Sequence, residues 1–168
     1  KIALINSLSN DREFLTFARL QDEIREELNA HGGRVTMDQL HKSINVDISY
    51  IQSTAKKIAD SDASVDLLPP HGSEIITTSY LKSVADDIAG FVAKRGRADI
   101  ADLAREFTLP LKVLNKLLKT HVGSSSDATI RGQVRPNGCI YTEAYMARLK
   151  NQTRGILGGS LFPLSISD

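Results

Sequence analysis

A pattern of apolar residues repeats about every 64 residues along this 168-residue chain. At an offset of 64, the matched residues are Leu20, Ile24, Leu28 and Gly32 with Val84, Ile88, Val92 and Gly96. At an offset of 63, they are Val35, Met37, Leu40, Ile44, Val46, Ile48 and Ile51 with Ala98, Ile100, Leu103, Phe107, Leu109, Leu111 and Leu114. At an offset of 65, they are Ile75, Thr77, Tyr80, Leu81 and Val84 with Ile140, Thr142, Tyr145, Met146 and Leu149. A fixed period with small insertions indicates one supersecondary unit used more than once.

The first copy has the pattern of a winged helix, a helix-turn-helix unit with a β-ribbon added. Its apolar spacing predicts helices over 18–30, 37–44 and 48–59, and Thr36 and Asp47 are suited to cap the second and third of them. Extended segments are predicted at 34–36, 65–68 and 74–77. The order is therefore helix, short strand, helix, helix, hairpin, which is the order of a winged helix.

The second copy follows the same order. Helices are predicted over 80–95, 99–107 and 111–121, followed by a hairpin over 129–141 with Asn137-Gly138 at its tip. A last amphipathic helix is predicted from Thr142 to Leu157. The predicted fold is mainly α with small β-hairpins, as tandem winged-helix domains preceded by a partial winged helix. The expected limits are 1–16 for the partial unit, 17–79 and 80–157 for the complete units, and 158–168 for a linker.

The first 16 residues resemble only the second half of a unit. The segment 14–20 matches 75–81, where a wing leads into the next helix. Before it, a short apolar run predicts a third helix, so residues 1–16 are expected to hold that helix and part of a wing. Half a winged helix leaves an apolar face uncovered, and such a face marks an interaction surface. Upstream residues or a partner chain can supply the other half, and the expected partner-binding residues are Ile2, Leu4, Ile5, Leu8, Phe14 and Phe17.

Bulk composition limits the function classes. The chain is 41% hydrophobic and 24% charged, which is typical of a globular protein. Its net charge of +1 gives no reason to expect general nucleic-acid binding, for which a basic face is required. The single cysteine and the absence of an apolar leader favour a reducing compartment, and Lys1 suggests a fragment of a longer protein.

No catalytic or metal-binding constellation is found in the sequence. Cys139 begins a predicted wing strand, and an idle or buried thiol is the favoured interpretation over a reactive one. The four histidines have no spacing that ties them to Cys139 or that suits zinc; they are His31, His41, His71 and His121. We therefore expect no metal, cofactor or small-molecule ligand.

A basic helix face provides an alternative function. Lys112, Lys116 and Lys119 share one face of the predicted helix 111–121, the helix that enters the major groove in a DNA-binding winged helix. A solvated helix face is the favoured interpretation, because base readout requires Arg, Asn or Gln and only Asn115 is near. A nucleic-acid-binding tandem winged-helix module remains the alternative to a protein-interaction scaffold.

Five segments of the chain together are typical of one known family. They are Asp22-Glu23-Ile24-Arg25-Glu26-Glu27-Leu28, Gly32-Gly33-Arg34-Val35, Ile44-Asn45-Val46-Asp47, Tyr141-Thr142-Glu143-Ala144-Tyr145-Met146-Ala147-Arg148 and Arg154-Gly155. These segments resemble the N-terminal region of the ufmylation ligases, which attach the ubiquitin-fold modifier to proteins. The resemblance extends from about residue 13 to residue 155.

The resemblance implies a scaffold without a catalytic cysteine. Such a ligase brings the modifier-loaded conjugating enzyme to a target lysine, with a large-subunit ribosomal protein as main target. The resemblance also implies that a DDRGK-domain adaptor at the endoplasmic reticulum completes the N-terminal partial winged helix. The implied location is the cytoplasm, at the cytosolic face of the endoplasmic reticulum, with the nucleus as a second compartment.

Overall fold

The computed structural model describes residues 4–6, 14–68, 72–124 and 128–159. These residues are mainly helical with small, mostly antiparallel sheets, which confirms the predicted mainly α class. The chain divides into two compact units, Lys1–Val84 and Ala85–Asp168. None of the described helices combines the length and the apolar character that crossing a bilayer requires.

The first unit alternates short strands with helices. In chain order its elements are β1 (Leu4–Asn6), β2 (Phe14–Thr16), α1 (Phe17–Ala30), β3 (Arg34–Thr36), α2 (Met37–Ile44), α3 (Ile48–Ser61), β4 (Val65–Leu68) and β5 (Glu74–Thr77). Strands β1 and β2 form an antiparallel ribbon, and a separate antiparallel sheet has the order β3-β5-β4. Every helix and strand predicted between residues 18 and 77 forms, with each end within two residues of its predicted position.

The second unit repeats this order of elements. Helix α4 (Thr78–Arg95) leads into it from the first unit. The following elements are β6 (Arg97–Asp99), α5 (Ile100–Glu106), α6 (Leu111–His121), β7 (Val122–Gly123), β8 (Ile130–Arg131), β9 (Gln133–Val134), β10 (Cys139–Tyr141) and α7 (Glu143–Gly159). Its antiparallel sheet has the order β6-β10-β9, so the first short strand again pairs with the last strand of the hairpin.

Polar side chains begin the helices at the predicted positions. Thr36 Oγ1 accepts a hydrogen bond from the Gln39 amide at 3.1 Å, and Gln39 Oε1 accepts one from the Thr36 amide at 2.9 Å. The two residues thus form a capping box. Asp47 and Asp99 accept backbone hydrogen bonds in the same way at the starts of α3 and α5. Because the first amides of a helix lack an intrahelical acceptor, these side chains fix where the helices begin.

Eight pairs of residues matched by the repeat are buried in both copies. In the first copy they are Leu20, Ile24, Leu28, Val35, Leu40, Val46, Ile51 and Ile75, and in the second Val84, Ile88, Val92, Ala98, Leu103, Leu109, Leu114 and Ile140. Burial of a large aliphatic side chain contributes about 1.5–3 kcal/mol relative to exposure. The sequence period therefore encodes two cores of the same design.

The prediction of a helix at the beginning of the chain is wrong for residues 4–6. These residues form strand β1, in which Leu4 pairs with Thr16 and Ile5 with Leu15. A single short apolar run does not repay the cost of nucleating a helix, whereas β2 offers backbone partners for a strand. Ile2 and Leu8 lie outside the described residues.

The predicted hairpin over 129–141 is shorter than expected. Strands β9 and β10 form it, with Asn137 and Gly138 in the turn as predicted. Residues 130–131 instead pair in parallel with 122–123. Gly132 lies between β8 and β9, and a Cβ atom added there would lie 2.8 Å from the Tyr141 carbonyl oxygen. Only glycine fits this close approach to the β10 backbone, at the residue between β8 and β9.

The predicted last helix forms as α7, but none of its side chains is buried. Leu149, Ile156 and Leu157 are exposed. They occupy one side of a helix whose counterparts α1 and α4 bury theirs. The apolar side of α7 is therefore uncovered within the described part of the chain.

We expect Gly33→Ala to destabilise the first unit much more than Gly32→Ala. Both glycines have positive φ, +70° at Gly32 and +95° at Gly33, and an alanine in the left-handed region costs about 1–2 kcal/mol. At Gly33 the added Cβ would also overlap Thr77 Oγ1, whereas nothing lies within 4 Å at Gly32. Urea unfolding should show an additional loss of about 1–3 kcal/mol for Gly33→Ala. Equal losses for the two variants would contradict the close packing of Gly33 on Thr77.

We expect Asp47→Asn to weaken the acid dependence of stability. Hydrogen bonds from the side chain and the amide of Ser49 lower the pKa of Asp47. A lowered pKa stabilises the fold above the unfolded-state value of about 3.9, and this contribution is lost as pH falls through the folded-state pKa. Asparagine keeps the capping oxygen without titrating, so the fall in urea midpoint between neutral pH and pH about 3 should be smaller in the variant. If the urea midpoint falls equally in the variant and in the unmodified chain, the Asp47 cap contributes nothing to acid sensitivity.

Candidate protein-interaction surfaces

The N-terminal ribbon has one strand fewer than the other antiparallel sheets. Strand β2 pairs with β1, and among the described residues neither strand has a second neighbour. In the two three-stranded sheets, by contrast, the last strand in chain order, β5 or β10, lies in the middle. Unpaired strand edges present free amide and carbonyl groups, which are ready to pair with another segment.

Part of the predicted partner-binding set lies against the first unit itself. Phe17 is half-buried, and its ring lies edge-on to Tyr50 with the centroids 6.2 Å apart. The Lys57 ammonium lies 4.8 Å from the Phe17 centroid, and Leu15 and Phe17 both pack on the core of the first unit. Phe17 therefore anchors the start of α1 to its own unit, within which it has aromatic and cationic neighbours.

The remaining members of that set are located only by their backbone or not at all. Leu4 and Ile5 lie in β1, and Phe14 lies in β2. Ile2 and Leu8 are outside the described residues. The assignment of these five residues to a partner interface stays a prediction.

One threonine arrangement marks the end of the ribbon and of each complete hairpin, and Thr36 caps α2 in the same way. The hydroxyl oxygens of Thr16, Thr77 and Thr142 each accept a hydrogen bond, at 3.2 Å, from the backbone amide three residues later. Thr16 and Thr77 are the last residues of β2 and β5, and Thr142 directly follows β10. The next helices, α1, α4 and α7, each begin one residue after the threonine. The end of the ribbon therefore has the geometry of the end of each complete hairpin, a recurrence that the sequence match of 14–20 to 75–81 had indicated.

Thr77 and Thr142 have a further contact. The Thr77 amide donates to the Gly33 carbonyl oxygen at 2.8 Å, and the Thr142 amide donates to that of Gly96 at 2.9 Å. Each bond joins the end of a hairpin to the glycine before the first strand of the same unit. For Thr16, no counterpart of that glycine is described, because β1 is the first described segment of the chain.

The repeat also places an arginine at an equivalent point in each unit. In the first, Arg34 Nε lies 2.8 Å from Glu74 Oε2, and its guanidinium stacks on Tyr80 at 5.9 Å from the centroid. Burial acts to lower the pKa of Arg34, but hydrogen bonds and charge attraction from Glu74 and Tyr80 outweigh it and raise the pKa. In the second unit Arg97 is the counterpart of Arg34, and Cys139 stands where the first unit has Glu74. The replacement of Glu74 by Cys139 was not recognised from the sequence, although the offset of 63 relates Arg34 to Arg97 and the offset of 65 relates Glu74 to Cys139.

Cys139 is buried, with 2% of its surface exposed. Its thiol donates to Asp99 Oδ2 at a distance of 3.6 Å, and Arg97 Nη2 donates to Sγ at 3.7 Å. The pKa of Asp99 is lowered, first by its hydrogen bond from the Ala101 amide and further by that from Cys139. This confirms the interpretation of Cys139 as a buried thiol, and the residue links strand β10 to the cap of α5.

Each described histidine ring contacts a residue close to it in the sequence. His41 Nδ1 lies 2.7 Å from the Val46 carbonyl oxygen, and His31 Nδ1 lies 2.9 Å from that of Glu27. His121 Nδ1 is 3.3 Å from Thr129 Oγ1, and His71 is outside the described residues. Among the residues that the structure describes, no three His, Cys, Asp or Glu side chains are grouped so as to hold a metal ion.

The predicted basic face lies on the solvent side of α6. Lys112, Lys116 and Lys119 are all exposed, while Leu114 and Leu118 on the opposite side are buried. Asn115 is also exposed, and no arginine lies on this helix. Lysines of this kind suit phosphate contacts rather than base readout. Their role in nucleic-acid binding stays a prediction.

The structural comparison with solved proteins gives a weak likeness. The mRNA-binding domain of elongation factor SelB from E. coli, solved in complex with SECIS RNA, aligns with a TM-score of 0.45 and 13% sequence identity. The alignment covers 75% of this chain and 99% of the SelB chain. At this score the likeness carries no argument about fold or ligand.

The sequence comparisons are much stronger. The E3 UFM1-protein ligase 1 homolog of Trichoplax adhaerens is 34% identical over 158 residues, covering 93% of this chain and 19% of that protein. The E3 UFM1-protein ligase 1 of Danio rerio is 30% identical over 170 residues, covering 100% of this chain and 20% of that protein. The chain thus spans about a fifth of the length of these curated relatives. Because the sequence profile of the E3 UFM1-protein ligase 1 family also matches residues 1–168, the chain belongs to that family.

Proposed function

We propose that this chain is a scaffold segment of a ufmylation ligase, built from tandem winged-helix domains. Membership of the E3 UFM1-protein ligase 1 family supports the ligase class. The winged-helix assignment is supported by the order of elements and by the pairing of β3 with β5 and of β6 with β10. We assign 17–79 and 80–157 to the two complete domains and 158–168 to a linker.

The N-terminal ribbon is the wing of a partial winged helix over residues 1–16. The single observation that carries this proposal is the antiparallel pair of β1 and β2 that ends at the Thr16 cap, as the two complete wings end at the caps of Thr77 and Thr142. In those wings the equivalent strand is paired on both edges, whereas β2 has one described neighbour. A complementing segment would add the missing strand to β2 and cover the ribbon with its helices.

A DDRGK-domain adaptor is the proposed source of the complementing segment. The resemblance of this chain to the ufmylation ligases supports this partner, and the unpaired edge of β2 offers it a place to bind by strand addition. The contact residues are proposed to be Ile2, Leu4, Ile5, Leu8 and Phe14, with Phe17 supporting the base of the ribbon from its own unit. Through this adaptor the ligase would act in the cytoplasm, at the cytosolic face of the endoplasmic reticulum.

The proposed mechanism is positioning. The scaffold holds the modifier-loaded conjugating enzyme beside a target lysine, on a large-subunit ribosomal protein, and so raises the effective concentration of the two reactants. Transfer then proceeds from the conjugating enzyme to the lysine amine without a covalent intermediate on the scaffold. The burial of Cys139 and its bond to Asp99 support this mechanism, because a thiol that carries a modifier has to be accessible.

We expect replacement of both Leu4 and Leu8 by Asp to abolish adaptor binding. Two carboxylates in an apolar interface are costly to desolvate, so affinity should fall by about a hundredfold or more. Co-purification of the adaptor with the co-expressed chain measures this. A matched control replaces Ile156 and Leu157 by Asp, because these residues are exposed and apolar but lie on α7. Undiminished binding of the first variant, or equal loss in the control, would refute the proposed interface.

Hydrogen exchange tests the same interface without a mutation. If a strand is added to β2, the amides of residues 14–16 should become protected when the adaptor binds, while those of the α7 segment 149–157 keep their rates. Unchanged exchange across 14–16 in the complex would contradict strand addition.

We expect Cys139→Ser to leave modifier transfer intact. Serine preserves a hydroxyl donor toward Asp99, so transfer by the ligase–adaptor complex should stay within about twofold of the unmodified rate. Single-turnover discharge of the loaded conjugating enzyme onto a lysine acceptor measures this, and the thermal midpoint of the variant checks its fold. Loss of transfer in a variant that folds normally would assign a covalent step to Cys139 and overturn the positioning mechanism.

A further inference from the structure

The two units carry opposite charge. Residues 85–168 contain twelve Lys or Arg and eight Asp or Glu, which gives a net charge of +4. Residues 1–84 contain nine Lys or Arg and twelve Asp or Glu, which gives a net charge of −3. The near-neutral total therefore conceals a basic second unit. A local excess of positive charge attracts acidic partners and speeds their association.

Two stacked pairs of an arginine and a tyrosine lie side by side in this basic unit. We name their residues, Arg97, Tyr141, Tyr145 and Arg148, the arginine–tyrosine ladder. The Arg97 guanidinium lies 5.8 Å from the Tyr141 centroid, and the Arg148 guanidinium lies 5.2 Å from that of Tyr145. The two tyrosine rings lie between the arginines, with centroids 5.9 Å apart and planes tilted by 32°. Both arginines are exposed and both tyrosines are half-buried.

Neighbouring residues hold the two tyrosines in place. Asn137 Nδ2 donates to the Tyr141 hydroxyl at 2.9 Å. Tyr145 packs on Gly96, where an added Cβ would lie 2.9 Å from Tyr145 Cβ, and the Tyr145 amide is bound by the Thr142 cap. Stacking on rings fixed in this way limits the freedom of the guanidinium groups, which lowers the entropy cost of binding an anion.

A cleft continues the positive surface beyond the ladder. Its volume is about 270 Å³, and its lining includes Lys94, Arg95, Tyr145 and Arg148. Arg95 is itself stacked on Phe91, with the guanidinium 4.3 Å from the ring centroid. Four cationic side chains, those of Lys94, Arg95, Arg97 and Arg148, thus lie exposed around the two tyrosines.

These arginines have no partner of the kind present in the first unit. Arg34 is neutralised by Glu74 at 2.8 Å, but the equivalent residue beside Arg97 is Cys139. In the described part of the second unit, Arg95, Arg97 and Arg148 form no ion pair, and Asp99, the carboxylate that interacts with Arg97, already accepts hydrogen bonds from Ala101 and Cys139. The guanidinium groups therefore retain donors for an external carboxylate.

We propose that the arginine–tyrosine ladder and the adjoining cleft bind an acidic peptide segment of a partner protein. Guanidinium groups pair with carboxylates through two parallel hydrogen bonds, and an extended acidic peptide presents several carboxylates along its length. This inference is independent of the scaffold role proposed above.

Single-stranded nucleic acid fits the same surface less well. Bases bind by stacking on free aromatic faces, but each tyrosine of the ladder already has an arginine on its ring and the other tyrosine beside it. The cleft of about 270 Å³ accommodates one or two side chains rather than a run of bases. A net charge of +4 is also modest for a surface that has to follow a phosphate backbone.

Fluorescence anisotropy with a labelled peptide of about ten glutamates tests the proposal on the full 168-residue chain. We expect Arg97→Gln with Arg148→Gln to weaken binding by about tenfold or more, because two charge-assisted contacts are lost. The matched control, Lys112→Gln with Lys119→Gln on α6, removes the same charge and should change affinity by less than about threefold. The single variant Arg148→Gln, whose side chain is exposed, keeps the test valid if the double variant unfolds by circular dichroism.

Three outcomes would overturn the proposal. The first is no binding of the glutamate peptide at near-physiological salt, or equal binding of the corresponding glutamine peptide. The second is an equal loss in the arginine and lysine variants, which would indicate a response to net charge alone. The third is tighter binding of labelled poly(U) RNA than of the peptide, with dependence on the same arginines, which would assign the surface to nucleic acid.

Discussion

Each unit is closed by one backbone hydrogen bond between the threonine that ends its hairpin and the glycine that follows its first helix. Thr77 donates to Gly33 and Thr142 to Gly96, at 2.8 and 2.9 Å. The bond places the last strand beside the first short strand, and the same threonine side chain begins the next helix. The end of the sheet and the start of the following helix therefore meet at one point of the backbone. Positive φ at both glycines makes that approach possible.

The N-terminal ribbon lacks this glycine contact among the described residues, and it has two strands instead of three. Thr16 begins α1 as the other threonines begin their helices, but no glycine carbonyl from a preceding unit is described for its amide. The ribbon is held at its base by Leu15 and Phe17, which pack on the core of the first unit. A strand pair with unsatisfied edges gains more from a binding partner than a complete sheet does, because added strands satisfy its free backbone groups. This physical asymmetry underlies the proposed complementation by an adaptor.

Repetition of a fold leaves surfaces free to diverge while the core stays the same. The buried positions of the two units match in position and apolar character, yet Glu74 of the first unit corresponds to Cys139 of the second. That exchange removes the carboxylate from beside an arginine and leaves Arg97 to stack on Tyr141. One unit consequently keeps an internal ion pair and the other presents cations to solvent. In the scaffold role proposed here, such differences between surfaces would decide which partners the protein binds.

The sequence by itself determined the elements, the caps and the two cores, because local hydrogen bonding at Thr36 and Asp47 and the spacing of apolar residues act over a few residues at a time. Family membership likewise followed from sequence alone. The tertiary structure decided what depends on residues far apart in the chain. It paired 4–6 with 14–16 as a ribbon instead of a helix, and it assembled the arginine–tyrosine ladder from residues 97 to 148. Strand pairing and side-chain stacking join distant segments, so neither leaves a periodic signal in the sequence.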